Sequence, residues 1–335
     1  MTSDNQSNNE LMLSIIVPVY NVAPFLGPGL ESITGQHFEH AYEVILIDDY
    51  STDSSLEICR NFVKGDKGSA FKILESSTNQ GVSVTRNRGL DAAHGRYFMF
   101  LDPDDLLAPN ALSALFAAAE KFSADIVKGN NTIFDDSSET AARYNVSQTS
   151  TIDRDQILTT FYEHDRVRGH PWGKLFRRSQ LGSYRFPVGV RMAQDLFYCS
   201  EVFAHAKSLL LLDSNVYRYR NRESGSTGRK FTSGSYLDWL DSVEKTAQFA
   251  VTVKQRRAHK NLLVRTMTQL ARECRNLPPQ EAMDVLQVIE QRCVNWNLSF
   301  LQLIFIDRLD LRTLTRYFKM RVAVRTIRQK IKHLQ

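Results

Sequence analysis

The run Phe100-Leu101-Asp102-Pro103-Asp104-Asp105-Leu106-Leu107 places three carboxylates directly behind an apolar segment. One or two such carboxylates, completed by substrate phosphates, are a usual way to hold Mg²⁺ or Mn²⁺. The same run also suits a solvated acidic turn before the helix that begins near Pro109. Asp48-Asp49 closes another apolar run and could hydrogen-bond a nucleobase edge or a ribose, or simply form a turn. Asn79-Gln80-Gly81 precedes a helical pattern that carries Arg86. Backbone N–H groups at a helix start favour anions, and Arg86 could reach a phosphate or a base from there. Gln194-Asp195-Leu196-Phe197 sets one carboxylate beside an apolar pair. That carboxylate suits a general base for a hydroxyl, or a helix N-cap.

The elements that would position these groups follow from apolar spacing. Leu13 to Val19 is a short β-branched run and reads as a buried strand. Pro24 to Gly35 carries Leu26, Leu30 and Ile33 at helical spacing, and Glu43 to Ile47 is a second strand. Ser51-Thr52-Asp53 offers caps to a helix containing Leu56, Ile58, Cys59 and Phe62. Phe71 to Leu74, Tyr97 to Leu101 and Asp125 to Lys128 read as further strands. Gly81 to Ala93 and Ala111 to Phe122 read as helices between them. This alternation predicts an α/β fold, a mainly parallel sheet with helices on both faces. Ligands of such sheets bind outside the carboxyl ends of the strands, where Tyr20-Asn21, Asp48-Asp49 and Asp102 to Asp105 all fall. Asp135 to Ser150 is polar and reads as a loop. Arg166 to Arg222 mixes aromatics with arginines and reads as a second half-site. From Ser235 onward the spacing is helical, with a break at Pro278-Pro279.

Composition narrows the class. The 335 residues are 42% hydrophobic and 24% charged, ordinary values that argue against general disorder. Cys59, Cys199, Cys274 and Cys293 are scattered and form neither a zinc knuckle nor a disulfide framework, which suits a reducing compartment. No apolar run reaches the length that spans a bilayer, and polar residues 1–10 read as a disordered lead-in. The net charge is +5, but residues 307–335 hold nine Lys or Arg against two Asp. The basicity therefore belongs to the tail, which argues against nucleic acid as a partner.

Taken in order, these motifs resemble the family-2 glycosyltransferases, inverting enzymes with the GT-A fold known from bacterial surface polysaccharide synthesis. The resemblance rests on Ser14 to Asn21, Ile47 to Ser54, Asn79-Gln80-Gly81 with Thr85 to Leu90, and Phe100 to Asp105. It continues through Trp172 to Arg178, Gln194 to Phe197 and the arginine-rich Tyr217 to Ser226. It implies a GT-A domain over residues 11–230, with a nucleotide half to 132 and an acceptor half from 133, and a helical region over 231–335.

The resemblance also implies roles. Pro18, Tyr20 and Asp49, with Asp48 nearby, would line the base and ribose pocket, and Arg86 would contact the nucleotide. Asp102 would hold ribose or metal, Asp104 would be the principal ligand of Mn²⁺ or Mg²⁺, and Asp195 would be the base. Trp172, Lys174, Arg220 and Arg222 would serve the acceptor or the diphosphate. The donor would be a nucleotide sugar, a uridine diphosphate sugar above all, and the acceptor a glycan or a lipid-linked species. Three positions depart from the family pattern: Gln194 stands where Glu is usual, Tyr50 where Gly is frequent and Gly173 where Asn is frequent.

Near the end, Met320, Val324, Ile327, Ile331 and Leu334 recur at helical spacing beside Arg321, Arg325, Arg328 and Lys332. Such a basic amphipathic helix can lie on an anionic membrane or pack on the protein body. The expected location is cytoplasmic, with docking at the inner membrane face as the alternative to a free enzyme. Two other functions compete with transfer: nucleotidyl transfer on a similar fold, and catalytically inactive binding of a glycan or nucleotide sugar.

Overall fold

The computed structural model describes residues 10–298, apart from 67, 136, 143–144, 164–166, 168 and 223–231. Residues 1–9 of the lead-in expected over 1–10 and the basic tail over 307–335 lie outside the described residues, as does the end of the arginine-rich segment from 223.

The first half alternates strand and helix as the apolar spacing predicts. β1 (Leu13–Val19), α1 (Ala23–Thr34), β2 (Tyr42–Asp48), α2 (Ser55–Lys64), β3 (Phe71–Glu75), α3 (Val82–Asp91) and β4 (Tyr97–Phe100) follow in turn. Next come β5 (Leu106–Leu107), α4 (Ala111–Lys121), β6 (Ile126–Phe134), β7 (Glu139–Ala141), β8 (Ser150–Ile152) and α5 (Arg154–Glu163). The later part holds β9 (Lys174–Arg177), α6 (Arg178–Leu181), α7 (Gln194–His205), β10 (Leu209–Arg220), α8 (Ser233–Lys245), α9 (Val253–Glu273) and α10 (Pro279–Asn295).

One sheet runs β3-β2-β1-β4-β9-β6-β10-β5, with β7 added to β6 and β8 to β10. β3, β2, β1 and β4 are parallel, and β10 is parallel to β6. β9 enters antiparallel between β4 and β6. A strand from the later part of the chain therefore closes the sheet between two earlier ones. β6 also runs across position 132, so the sheet is continuous where the two halves were expected to meet.

Side-chain alternation shows why both faces are covered. Leu13, Ile15, Val17 and Val19 of β1 pack with α1, α2 and α4 on one face, while Ile16 faces α3, α5 and α7 on the other. Strands apolar at every position belong in a sheet covered on both sides. Gly89 brings α3 against β1: a Cβ there would lie 2.3 Å from Ile16 Cγ2. Arg86, three residues earlier on α3, is thereby held close over the strand ends.

The polar stretch 135–150, expected as a loop, instead forms β7 and begins β8. Both strands are three residues long and pair with sheet strands, so backbone hydrogen bonds fix them rather than apolar periodicity. Helices follow from Ser233 as expected, and α10 begins at Pro279, where a missing N–H costs nothing. α8 to α10 share their own core, including Leu240, Leu263, Met267, Val285 and Ile289. α9 is also docked on the sheet domain: Ala258 joins the core beneath α5, and Arg265 donates to the Tyr162 carbonyl.

Candidate active site

The tips of β1 and β2 are tied together by short polar side chains. Asn21 Oδ1 accepts from Thr52 N at 2.8 Å, and Ser51 Oγ accepts from Asn21 N at 3.2 Å. Asp53 accepts from Ser55 N at 2.9 Å and from Ala23 N at 3.1 Å. It serves the starts of both α2 and α1, which is more than the single cap expected of it. Pro18 is buried in β1 opposite Ile47, and Tyr20 lies exposed beyond the strand end. Asn21 and Tyr50 take left-handed backbone conformations, at φ of 50° and 65°.

Asp48 and Asp49 divide their work. Asp49 Oδ1 accepts from Gln80 N at 2.9 Å and Oδ2 from Gly81 N at 2.7 Å. The N–H groups before α3, expected to receive an anion, thus receive the Asp49 carboxylate. Gly81 sits there at φ 85°, a conformation natural to glycine. Asp48 Oδ2 accepts from Ser51 N at 3.1 Å, while its buried Oδ1 has no partner among the described residues.

The acidic run behind β4 is a tight turn, closed by Asp105 N donating to Asp102 O at 3.0 Å. Each of its carboxylates has a different cationic or polar partner. Arg86 Nη2 donates to Asp102 Oδ1 at 2.8 Å, and Arg222 Nη2 lies 2.5 Å from Asp104 Oδ2. Asp105 is buried, accepting from Tyr217 Oη at 2.7 Å and from Arg220 N at 2.7 Å. Tyr217 Oη also accepts from Asp102 N at 3.2 Å. Arg220 Nε donates to Asp104 O at 2.9 Å, and its guanidinium lies over Phe25 and Phe134. Tyr217 is the residue whose part the motif reading did not foresee. Its signal is alternation along β10, which puts Tyr217 and Tyr219 on the same side of the strand.

Asp195 arrives from the far side. It is the second residue of α7, whose cap position is Ala193 in a left-handed conformation at φ 57°. Asp195 therefore does not cap the helix. Its Oδ1 accepts from Arg86 Nη1 at 2.5 Å. Arg86 so joins Asp102 and Asp195, its side chain 5% exposed, whereas the two carboxylates are 24% and 23% exposed. The guanidinium forms a floor and the carboxylates open above it.

Trp172 and Lys174 flank this floor. The Trp172 ring stacks at 4.6 Å on Tyr217, at 4.9 Å on His170 and at 5.5 Å on Tyr219, and is nearly buried. Lys174 is buried and donates to the His170 carbonyl at 2.5 Å. Gly173 between them adopts φ 66°, a conformation that glycine takes without strain and that Asn, frequent at this position in the family, also tolerates.

Electrostatics distinguish the carboxylates. Burial, and then the neighbouring Asp102, push the Asp104 carboxyl above its usual range, with Arg222 opposing. Burial together with Asp102 and Asp104 pushes Asp105 well above it. Burial raises Asp195, and Arg86 opposes. Burial alone would lower the Arg86 guanidinium, but Asp195 and Asp102 hold it above its usual value. Among the described residues no group of three or more His, Cys, Asp or Glu side chains is placed to hold a metal ion. One or two carboxylates open to phosphate and water are nonetheless the set that Mg²⁺ accepts. Asp102 and Asp104, partly exposed, are the two carboxylates of the turn that could contribute to such a set.

An α/β sheet covered on both faces, with acidic strand tips at one edge and Arg86 joining Asp102 to Asp195 of α7, has the GT-A architecture. The chain belongs to glycosyl transferase family 2, whose pattern matches residues 14–185. Over 228 residues it is 30% identical to the glycosyltransferase GlyA of Streptococcus pneumoniae serotype 4, covering 66% of this chain and 32% of GlyA. Over 213 residues it is 28% identical to EpsH of Bacillus subtilis (strain 168), covering 62% of this chain and 60% of EpsH. The matched region is thus less than two thirds of either relative. The fold is similar to that of S. aureus TarS residues 1–349 in complex with UDP-GlcNAc. The TM-score is 0.68 and the identity 19%, over 94% of this chain and 92% of that one.

Proposed function

We propose that this chain transfers a sugar from a uridine diphosphate sugar to an acceptor hydroxyl with inversion. The observation that carries the reading is the double ion pair of Arg86, with Asp102 from a donor-side strand tip at one end and Asp195 at the other. UDP-GlcNAc bound to TarS, a neighbour in fold, supports a uridine nucleotide as donor.

In this reading Pro18, Tyr20, Asp48 and Asp49 form the base and ribose pocket. Asp104 would be the principal ligand of Mn²⁺ or Mg²⁺, with Asp102 holding the ribose or the ion beside it. Such an ion, when bound, offsets charge on the departing diphosphate. Asp195 takes the proton of the acceptor hydroxyl while its oxygen bonds to the anomeric carbon. The bond to the diphosphate breaks on the opposite face, and its electron pair leaves with UDP. Arg220 and Arg222 stand beside the Asp104 turn, where that charge appears. One base suffices, because no glycosyl-enzyme intermediate forms, and an α-linked donor gives a β-linked product.

The motif set points to bacterial surface polysaccharide as the product class, with a glycan or lipid-linked acceptor. Residues 11–230 act as the transferase unit and 231–335 as a helical extension. The basic and apolar residues recurring over 320–334 suit either an anionic membrane on the cytoplasmic side or packing on the protein body. Among the described residues no helix is long and apolar enough to cross a membrane.

A panel of nucleotide sugars with Mn²⁺, read by thermal shift and then by nucleotide release, tests the proposal. UDP sugars should raise the melting temperature, and Asp104→Ala should abolish release. Pyrophosphate release from a nucleoside triphosphate and a sugar phosphate would establish nucleotidyl transfer instead. Tight binding without turnover on any acceptor would make the chain a binding protein.

A further inference from the structure

Asp195 takes a direct hydrogen bond from Arg86 Nη1 at 2.5 Å, and the buried Lys174 ammonium acts on it by charge. Ala193, at the cap position of α7, has no side chain that could orient it. Arg86 in turn is fixed from several sides. It rises from the second turn of α3, itself held against β1 by Gly89. Its guanidinium lies 5.2 Å from the centre of the Phe186 ring. The Phe186 backbone exchanges two hydrogen bonds with the Asn87 side chain, at 2.9 and 2.7 Å. The Phe186 ring stacks at 3.9 Å on Tyr198, which lies on α7 one turn beyond Asp195. α3 and α7 are therefore clamped together beside the Arg86–Asp195 pair.

The pattern of satisfaction points the same way. Both terminal nitrogens of Arg86 are committed to carboxylates on different elements. Its buried Nε has no partner among the described residues. A buried N–H left unmet calls for an explanation, and here the guanidinium is turned so that both terminal nitrogens meet carboxylates.

We propose that Arg86 is the positioning residue for Asp195 and ties its aim to Asp102 on the donor side. The proposal rests on the reading of Asp195 as the general base. A carboxylate misplaced by about 1 Å can cost on the order of 100-fold in rate. A movement of Asp102 on donor binding is passed to Asp195 through the shared guanidinium. Arg86 therefore acts on turnover, whereas a nucleotide-contacting arginine would act chiefly on donor affinity.

The test compares wild type with Arg86→Lys, Asp195→Asn and the double variant, using the UDP sugar and acceptor found by the panel. Titration calorimetry with UDP and Mn²⁺ supplies the binding arm. Lysine keeps the charge but loses the planar fork that reaches both carboxylates in fixed geometry. Arg86→Lys should lower kcat by about 100-fold while donor KM and UDP affinity change by less than about threefold. In the Asp195→Asn background it should cost nothing further, because residues that act as a unit are not additive. Phe186→Leu leaves every charge in place and loosens the guanidinium. It should lower kcat with donor KM unchanged, even if Arg86→Lys proves too unstable to assay. Loss of UDP affinity in step with kcat would overturn the proposal, and so would additive effects in the double variant. Full turnover by Asp195→Asn would instead remove the base assignment, an outcome separate from either of these.

Discussion

Arg222 Nη2 and Asp104 Oδ2 stand 2.5 Å apart, joining the end of β10 to the acidic turn. The guanidinium also lies 4.7 Å from the centre of the Phe25 ring. The carboxylate proposed to hold a divalent ion is thus already paired with a cation of the chain. Mn²⁺ must compete with that arginine, and a nucleotide diphosphate gives the freed guanidinium a new partner. Arg222→Gln should therefore tighten binding of Mn²⁺ alone by about tenfold, roughly 1.4 kcal/mol, and weaken binding of UDP in the presence of Mn²⁺. Asp104→Asn should remove both. Electron paramagnetic resonance of free Mn²⁺ and calorimetry with UDP measure the two effects. Equal Mn²⁺ affinity in Arg222→Gln and wild type would show that the pair does not compete with the metal.

Tyr217 supports the same turn from below. Its hydroxyl donates to the buried Asp105 and accepts from Asp102 N, while its ring carries Trp172. Tyr217→Phe keeps the stack but leaves a buried carboxylate oxygen short of a donor. That should cost about 1–3 kcal/mol, read by urea denaturation. UDP binding with Mn²⁺ should weaken as well, because the turn bearing Asp104 loses its anchor. A variant as stable as wild type would mean that water replaces the hydroxyl at no cost.

Tyr50 is strained at no gain visible in packing. It is 53% exposed and holds φ 65°, a conformation costing roughly 1–2 kcal/mol for a residue with a Cβ. Tyr50→Gly relieves that strain but adds freedom to the unfolded chain, so a net gain of up to about 1 kcal/mol is expected. Gly173→Ala, at φ 66°, should destabilise by about the same strain. Paired denaturation curves would settle both signs. Destabilisation by Tyr50→Gly would place Tyr50 in a contact that outweighs its backbone.

The acidic limb of turnover should report Asp195. Burial raises its carboxyl above the usual 3.8, with Arg86 opposing. Only the ionised form accepts a proton, so kcat should fall as pH drops through that raised value, with no alkaline loss from this group. The sign for stability is opposite. The folded chain keeps a proton that the unfolded chain gives up. The contribution of Asp195 is complete below 3.8 and is lost as pH rises through the folded value. Asp195→Asn should thus gain stability relative to wild type as pH rises from about 4 to 8. A kcat profile flat down to pH 4 would argue against Asp195 as the base.

Much of this was legible in the sequence where the signal is local. The β1 to β4 units follow from β-branched runs and helical spacing. The acidic tips follow because carboxylates directly behind a buried strand have nowhere to go but its end. Tyr50 in place of glycine, and glycine at 173, mark backbone positions that the structure holds at positive φ. The short strands β7 and β8 were not legible, because pairing to a neighbouring strand leaves no apolar period in a polar stretch.

The sequence by itself determined the family, the order of the early strands and the carboxylates that reach the strand tips, since each depends on residues close together in the chain. Only the tertiary structure decided their partners. It closed the sheet with antiparallel β9, gave the Gln80 and Gly81 N–H groups to Asp49, put Tyr217 beneath the acidic turn and joined Asp102 to Asp195 through Arg86. Those pairings cross long stretches of chain, and hydrogen bonds and charge pairs between distant residues carry no periodicity to announce them.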